Sequence, residues 1–358
     1  MKWSWRLGTI AGIELKVHAT FVLLLVWVGW AHWTQGRSIS AALEGVLFIL
    51  VLFACVVLHE LGHALTARRY GIKTRDIVLL PIGGVARLER IPEEPIRELL
   101  VAIAGPAVNV VIATVLFLLL SATGTWEGLS AMTMAEGPFF ARVMIANVVL
   151  VLFNLLPAFP MDGGRMLRAA LAMRMDYLQA TQIAANVGQG MAFLFGLVGL
   201  LWNPFLLFIA FFVWIGAAQE SSLAQMKMAL GGIPVKRLMI TDFRALHPEE
   251  TLQRAIELTL ATTQRDFPVV EGDRVVGVLT QQKLIRGLTE VGRDAPVASV
   301  MERDFQLAEL SEMIEPAFVR LQSCNCSTLP VTDAGRLVGL LTLENVGEFL
   351  SIQSALKG

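Results

Sequence analysis

Two histidines and a glutamate stand close together in VVLHELGHALTARRYG, residues 56–71: His59, Glu60 and His63. On a helix, side chains four residues apart leave the same face, so the two imidazoles can grip one ion. Glu60, beside the first of them, is placed to take a proton from a water held there. The pattern is H-E-x-x-H, in which two histidines bind zinc and the glutamate is the general base. Catalytic zinc takes three protein ligands and keeps a fourth position open, so a third ligand must come from elsewhere. Gly62 and Ala64 are small enough to let another backbone approach.

The elements that must position these residues are apolar. Of 358 residues, 55% are hydrophobic and only 16% charged, and the mean hydropathy is +0.63. Soluble domains carry nearer a quarter charged residues. Six apolar runs stand out: Val17–Trp33, Ala41–Leu58, Leu99–Leu120, Val143–Leu156, Ile183–Trp202 and Pro204–Ala218. They predict about six transmembrane helices, although a span needs roughly 20 residues and some runs are shorter. Met1–Lys16 is too polar for a cleavable signal peptide, so the first span is expected to remain. Lysine and arginine cluster in the N-terminal segment, in Ala67–Glu98 and, as Arg165, Arg168 and Arg174, after the fourth span. By the positive-inside rule both termini are cytoplasmic in a multi-pass protein of the cell (plasma or inner) membrane. A net charge of −1 offers no electrostatic argument for nucleic acid. His59 then lies roughly 13 Å inside the cytoplasmic end of its span, where an ionisable group costs about 2.5–3.5 kcal/mol near mid-helix. A metal compensates that cost.

The third ligand is expected from NLLPAFPMDGGR, residues 154–165. Pro157 and Pro160 break the helix, and Gly163 and Gly164 loosen the chain beyond the break. Broken backbone at membrane depth lines a cavity or is buried in protein, which brings Asp162 to the depth of the histidines. Asn154, one turn above the break, either donates to the scissile carbonyl or oxyanion, or bonds between helices.

With HELGH, PIGGVARL and NLLPAFPMDGGR in hand, residues 1 to about 220 resemble the site-2 protease family of intramembrane zinc metalloproteases. The resemblance implies that His59, His63 and Asp162 bind one zinc ion (Zn2+), that Glu60 is the catalytic base and that Asn154 contributes to substrate binding. It implies cleavage of transmembrane segments of other proteins within the lipid bilayer. Phe159 stands where the family commonly has asparagine, and no segment resembles an inserted PDZ domain. DIVLLPIGGVARLER, residues 76–90, reads as a hairpin around Gly83-Gly84, and RLGTIAGIELKVH, residues 6–18, also has strand character. Such strands either hold an unwound substrate by strand addition or cover helix ends.

From about residue 234 the chain is an internal repeat. Met239 and Met301, Pro268 and Pro330, Gly277 and Gly339, and Thr280 and Thr342 are each 62 residues apart. The repeats, at about 234–288 and 296–350, resemble tandem CBS motifs, expected as an α/β module behind a linker at 221–233. That module would bind an adenine nucleotide, or would be structural or dimerising, giving a homodimer. Lys283 and Asn345 stand where ribose-binding members usually have aspartate. Cys324 and Cys326 form a lone C-x-C without a second pair for zinc. The expected fold is therefore an α-helical polytopic membrane domain with small β elements, residues 1–220, plus a CBS pair. The two functions it allows are an intramembrane endopeptidase gated by that module and a CBS-regulated transporter or channel. The clustering of polar residues at one depth, rather than along a path, favours the first.

Overall fold

The computed structural model describes residues 3–81, 83–88, 94–124, 137–323 and 327–357. The chain divides into two compact units, Met1–Ser222 and Leu223–Gly358. Cys324 and Cys326 lie outside the described residues.

The first unit opens with a hairpin, β1 (Ser4–Ile10) and β2 (Ile13–His18). Its turn, Ala11-Gly12, has φ of 52° and 83°, the left-handed pair that a two-residue hairpin requires. Helices α1 (Ala19–Gly36) and α2 (Ile39–Arg69) follow, then β3 (Thr74–Leu80) and β4 (Gly83–Leu88). The four strands form one sheet in the order β1-β2-β3-β4, antiparallel except for the parallel pair β2–β3. The second hairpin does not turn at Gly83-Gly84 as the sequence suggested. Both glycines are paired strand residues, Gly83 with Leu80 and Gly84 with Leu79, and the turn precedes them. Apolar residues at alternate positions of β2 and β3 (Ile13, Val17, Ile77, Leu79) pack on Phe21 of α1 and on Phe53, Val57 and Leu61 of α2. That packing ties the sheet to the helix bearing the histidines. The Asp76 carboxylate on β3 is buried and receives Lys16 of β2 at 2.8 Å and Arg87 of β4, whose Nε donates at 2.6 Å.

Among the described residues five helices follow: α3 (Pro95–Ala122), α4 (Phe139–Asn154), α5 (Asp162–Ala172), α6 (Tyr177–Leu201) and α7 (Phe205–Leu230), the last of which begins in this unit. Helices α2, α3, α6 and α7 are long and apolar enough to cross a membrane, while the apolar stretches of α1 and α4 are shorter, Ala19–Thr34 and Phe139–Asn154. Sixteen residues rise about 24 Å, short of a hydrocarbon core about 30 Å thick. The last expected span is not short: α7 runs to Leu230 and absorbs most of the expected linker. Residues 219–230 hold no glycine or proline and many good helix formers, and the helix ends only at Gly231-Gly232, with Gly232 at φ 72°.

The second unit contains α8 (Leu252–Ala261), β5 (Phe267–Glu271), β6 (Arg274–Leu279), α9 (Gln281–Glu290), β7 (Ala308–Glu309), α10 (Ile314–Ser323), β8 (Thr328–Asp333), β9 (Arg336–Thr342) and α11 (Leu343–Lys357). Its two repeats interlock reciprocally. Ile240 and Leu340 exchange backbone hydrogen bonds at 2.7 and 3.0 Å, and Val278 and Glu302, at the 62-residue offset, do so at 3.0 and 2.8 Å. A β-carbon at Gly277 would meet Met301 Sδ at 2.7 Å, and one at Gly339 would meet Met239 Sδ at 2.8 Å. The matched methionines and glycines are thus the contacts by which each repeat packs on the other.

Candidate metal centre

His59 and His63 occupy successive turns of α2 and are both buried. The approach of α3 sets their surroundings. A β-carbon at Gly62 would lie 2.7 Å from the Ala104 carbonyl oxygen, so glycine is what lets the two backbones meet, as expected. One at Gly105 of α3 would lie 2.2 Å from His63 Nε2 and 2.7 Å from His59 Nε2. The space in front of both rings exists because Gly105 has no side chain.

Asp162 reaches the same point as the first residue of α5, where the helix dipole favours a carboxylate. The preceding loop doubles back over the first turn of α5. A β-carbon at Gly163 would meet the Leu156 carbonyl oxygen at 2.2 Å, and one at Gly164 would meet the Ala158 carbonyl carbon at 2.6 Å. The glycine pair therefore tightens this corner, contrary to the expectation that it loosens it. Helix α7 closes the corner from outside: a β-carbon at Gly216 would lie 2.5 Å from Pro160 Cδ.

The three donor atoms converge. Asp162 Oδ2 lies 3.1 Å from His59 Nε2 and 3.2 Å from His63 Nε2, and the two nitrogens are 3.1 Å apart. His63 Nδ1 is 2.7 Å from the Val101 carbonyl oxygen, which only accepts, so that nitrogen holds the proton and Nε2 of the neutral ring presents a lone pair. His59 Nδ1 is engaged in the same way by Asn109 Oδ1 at 2.6 Å. Three lone pairs pointed at one another in an apolar setting repel unless a cation lies between them. Tetrahedral zinc, with bonds of about 2.0–2.1 Å, separates its ligand atoms by about 3.3 Å. The donor set and its spacing fit that ion.

Glu60 is half-buried on the next face of α2. Strand β4 passes close to it, and a β-carbon at Gly84 would meet Glu60 Cγ at 2.9 Å. Asn154, the last residue of α4, donates from Nδ2 to the Leu150 carbonyl oxygen of its own helix at 3.0 Å.

Sequence reasoning passed over the support behind Asp162. Arg168, counted only toward topology, is one of the most buried side chains. Its Nε donates to Glu98 of α3 and its Nη1 to Glu220 of α7, both at 2.8 Å. Its guanidinium lies 4.9 Å from the ring of Phe159, the residue standing in the asparagine position, and 5.2 Å from that of Tyr177. One cation thus fixes α5 to α3 and α7. The available signal was a carboxylate beside each of two long apolar runs, Glu98 before one and Glu220 after the other.

Comparison with known proteins gives consistent matches. The model of peptidase family M50 matches residues 47–135 and 126–197, and the CBS domain model matches 235–290. A zinc metalloprotease of Methanocaldococcus jannaschii, MJ0392, is 34% identical over 356 residues, spanning 98% of this chain and 97% of that protein. The structure of a site-2 protease from the same organism is 42% identical, covering 61% of this chain and 95% of its own, with a TM-score of 0.45. The CBS domain-containing protein YhcV of Bacillus subtilis is 30% identical over 111 residues, which is 30% of this chain and 79% of that protein.

Proposed function

We propose, from the premise that this chain belongs to peptidase family M50, the site-2 proteases, that His59, His63 and Asp162 hold its zinc and that Glu60 is its general base. The protein is an intramembrane zinc endopeptidase acting on membrane proteins, with a CBS pair at its C-terminal end. The observation that carries the residue assignment is the convergence of three buried donor atoms within 3.2 Å of one another, two from α2 and one from the start of α5. Bound zinc supplies Lewis-acid polarisation of the scissile carbonyl and an activated water at neutral pH. Glu60 takes the proton from the attacking water and passes it to the leaving amine as the C–N bond breaks. Asn154 is suited to donate to the substrate backbone if its amide turns from Leu150, a step that Asn154→Ala would reveal as a lower kcat at unchanged zinc content. The decisive test is Glu60→Gln, which keeps size and polarity but removes the base. It is expected to lower cleavage of a model transmembrane substrate by about 10²–10⁴-fold with zinc content unchanged. Ordinary turnover by that variant would sink the assignment.

A helical peptide bond is shielded and already hydrogen-bonded, so the substrate must be unwound. Strand β4 pairs with β3 on one side only among the described residues, exposes Val85 and runs past Glu60 at Gly84. An extended substrate adding to that edge would carry its backbone to the base. A photoreactive side chain at Val85 should then cross-link to bound substrate, and its failure to do so would remove this role.

The CBS pair carries an open cavity of about 810 Å³ lined by Asp242, Arg244, Arg265, Thr342, Asn345 and Glu348 among others. It is suited to an adenine nucleotide, but Asn345 already donates to the Leu238 carbonyl oxygen at 3.1 Å, which weakens its claim as a ribose ligand. Occupancy of the cavity is expected to change the rate of cleavage. A ligand does so only by its differential affinity for two states of the protein. Calorimetry with ATP, ADP and AMP, beside cleavage rates of the full chain, tests this; no binding and no change in rate would remove it. The cytoplasmic placement of both termini and pairing of two copies through the CBS units belong to the same proposal. A reporter fused after Gly358 and the mass of the detergent-solubilised particle check them.

A further inference from the structure

Behind His59 stands a row of buried polar groups that the mechanism does not use. His59 Nδ1 lies 2.6 Å from Asn109 Oδ1, Asn109 Nδ2 lies 2.8 Å from Asn147 Oδ1, and Asn147 Nδ2 lies 2.9 Å from the Val143 carbonyl oxygen. Both asparagines are fully buried, one on α3 and one on α4. The direction of the row is set from its far end. A backbone carbonyl only accepts, so the amide edge of Asn147 that faces Val143 must be the NH2 group. Its oxygen then faces Asn109, which must answer with its own NH2 group. The oxygen of Asn109 is left toward His59, and His59 can meet it only by holding a proton on Nδ1.

We propose that Asn109 and Asn147 form a one-way relay, anchored on the Val143 carbonyl, that fixes the tautomer of His59 with its Nε2 lone pair toward the zinc position. Asn147, which touches no ligand, is thereby a positioning residue for metal binding. The two histidines reach the same state by different routes. His63 is fixed in one step by the Val101 carbonyl, whereas His59 is fixed in three steps through another helix. A lone asparagine behind His59 would not suffice, because its amide could turn over, present NH2 to Nδ1 and stabilise the proton on Nε2, where it blocks the metal.

The inference rests on His59 being a zinc ligand, and the experiment separates the two. Zinc affinity of the full-length protein in detergent is measured by competition with a chelator. His59→Ala is expected to lose tight zinc; if it does not, the ligand assignment falls. Asn147→Leu, similar in size, frees the Asn109 amide to turn over and is expected to weaken zinc by about 10-fold or more, the range seen when partners of ligating histidines are lost. The discriminating variant is Asn109→Asp combined with Asn147→Leu. A carboxylate only accepts, so it holds the proton on Nδ1 whichever way it turns, and the double variant should bind zinc more tightly than Asn147→Leu alone. If the asparagines merely join α3 to α4, the double variant buries an unpaired carboxylate oxygen and binds no better than the single one. Wild-type affinity in Asn147→Leu, or no rescue in the double variant, would each overturn the relay.

Discussion

The two units contrast in what holds their buried polar groups. In the membrane unit His59, His63 and Asp162 are buried with acceptor atoms facing one another, and Arg168 is buried between two carboxylates. In the CBS unit the buried Asp266 accepts from the Gln281 N–H, the Ser327 N–H and the Ser327 hydroxyl, a set of neutral donors that leaves nothing for a ligand to complete. The first arrangement needs a cation to be stable; the second is already satisfied. That difference separates a site from a joint. It also explains why the chemistry of one unit is evident while that of the other rests on a cavity whose lining is mixed in charge.

The most forceful way to break this contrast is to remove the oxygen that faces the two imidazoles. Asp162→Ala is expected to lower zinc content and cleavage together, activity by at least about 10²-fold, while the CBS unit melts as before. Full zinc in an inactive Asp162→Ala protein would move Asp162 from ligand to substrate contact.

These residues were legible because the membrane makes polarity expensive: an ionisable side chain in an apolar run demands a reason. The same logic failed where neutral residues act. Asn109 and Asn147 lie in different spans, 38 residues apart, and no spacing rule joins them. Gly163 and Gly164 looked like slack beside two prolines, whereas the structure uses them for close backbone contact. The Gly83-Gly84 pair looked like a turn for the same reason; there glycine admits Glu60 beneath β4. In each case composition could not distinguish glycine that turns from glycine that makes room. The CBS fold was legible by another signal, the constant 62-residue offset, because reciprocal contacts force the same residue types into both repeats.

Gly105→Ala sharpens the contrast at the next scale. Its methyl would need the space 2.2 Å from His63 Nε2. The rings must shift or α3 must withdraw, and overpacking of this kind costs about 1–3 kcal/mol. Zinc affinity is expected to fall by about 10-fold or more, since 1.4 kcal/mol is tenfold. Retention of full affinity would mean that the ligand atoms approach from a different side. The matching pair in the other unit is Gly277→Ala and Gly339→Ala. Each methyl meets a methionine sulfur, at 2.7 and 2.8 Å, and a backbone carbonyl oxygen, that of Glu302 at 3.1 Å and that of Ile240 at 2.9 Å; methionine can move, but the hydrogen-bonded backbone gives less. Both should cost about 1–3 kcal/mol, by similar amounts, with zinc content unaltered. Unequal losses would show that the repeats are related in sequence but not in load.

The smallest expected effect tests whether Asp76 is held by charge. Asp76 lies in the sheet, outside the spans. Burial alone would raise its pKa, but hydrogen bonds and attraction from Arg87 and Lys16 outweigh that and hold it below the ordinary carboxylate value. A group whose folded pKa is depressed stabilises the fold above its unfolded pKa, and that stabilisation fades as pH falls toward the folded value. The unfolded value is near 3.9. Wild type should therefore exceed Asp76→Asn in stability at pH 7, and the difference should shrink progressively below about pH 4. Arg87 and Lys16 are partly exposed, so the difference at pH 7 is expected to be only about 1 kcal/mol. Melting curves of the two proteins in detergent between pH 7 and pH 3 measure it. A difference that persists unchanged to pH 3 would mean that Asp76 acts through shape rather than charge.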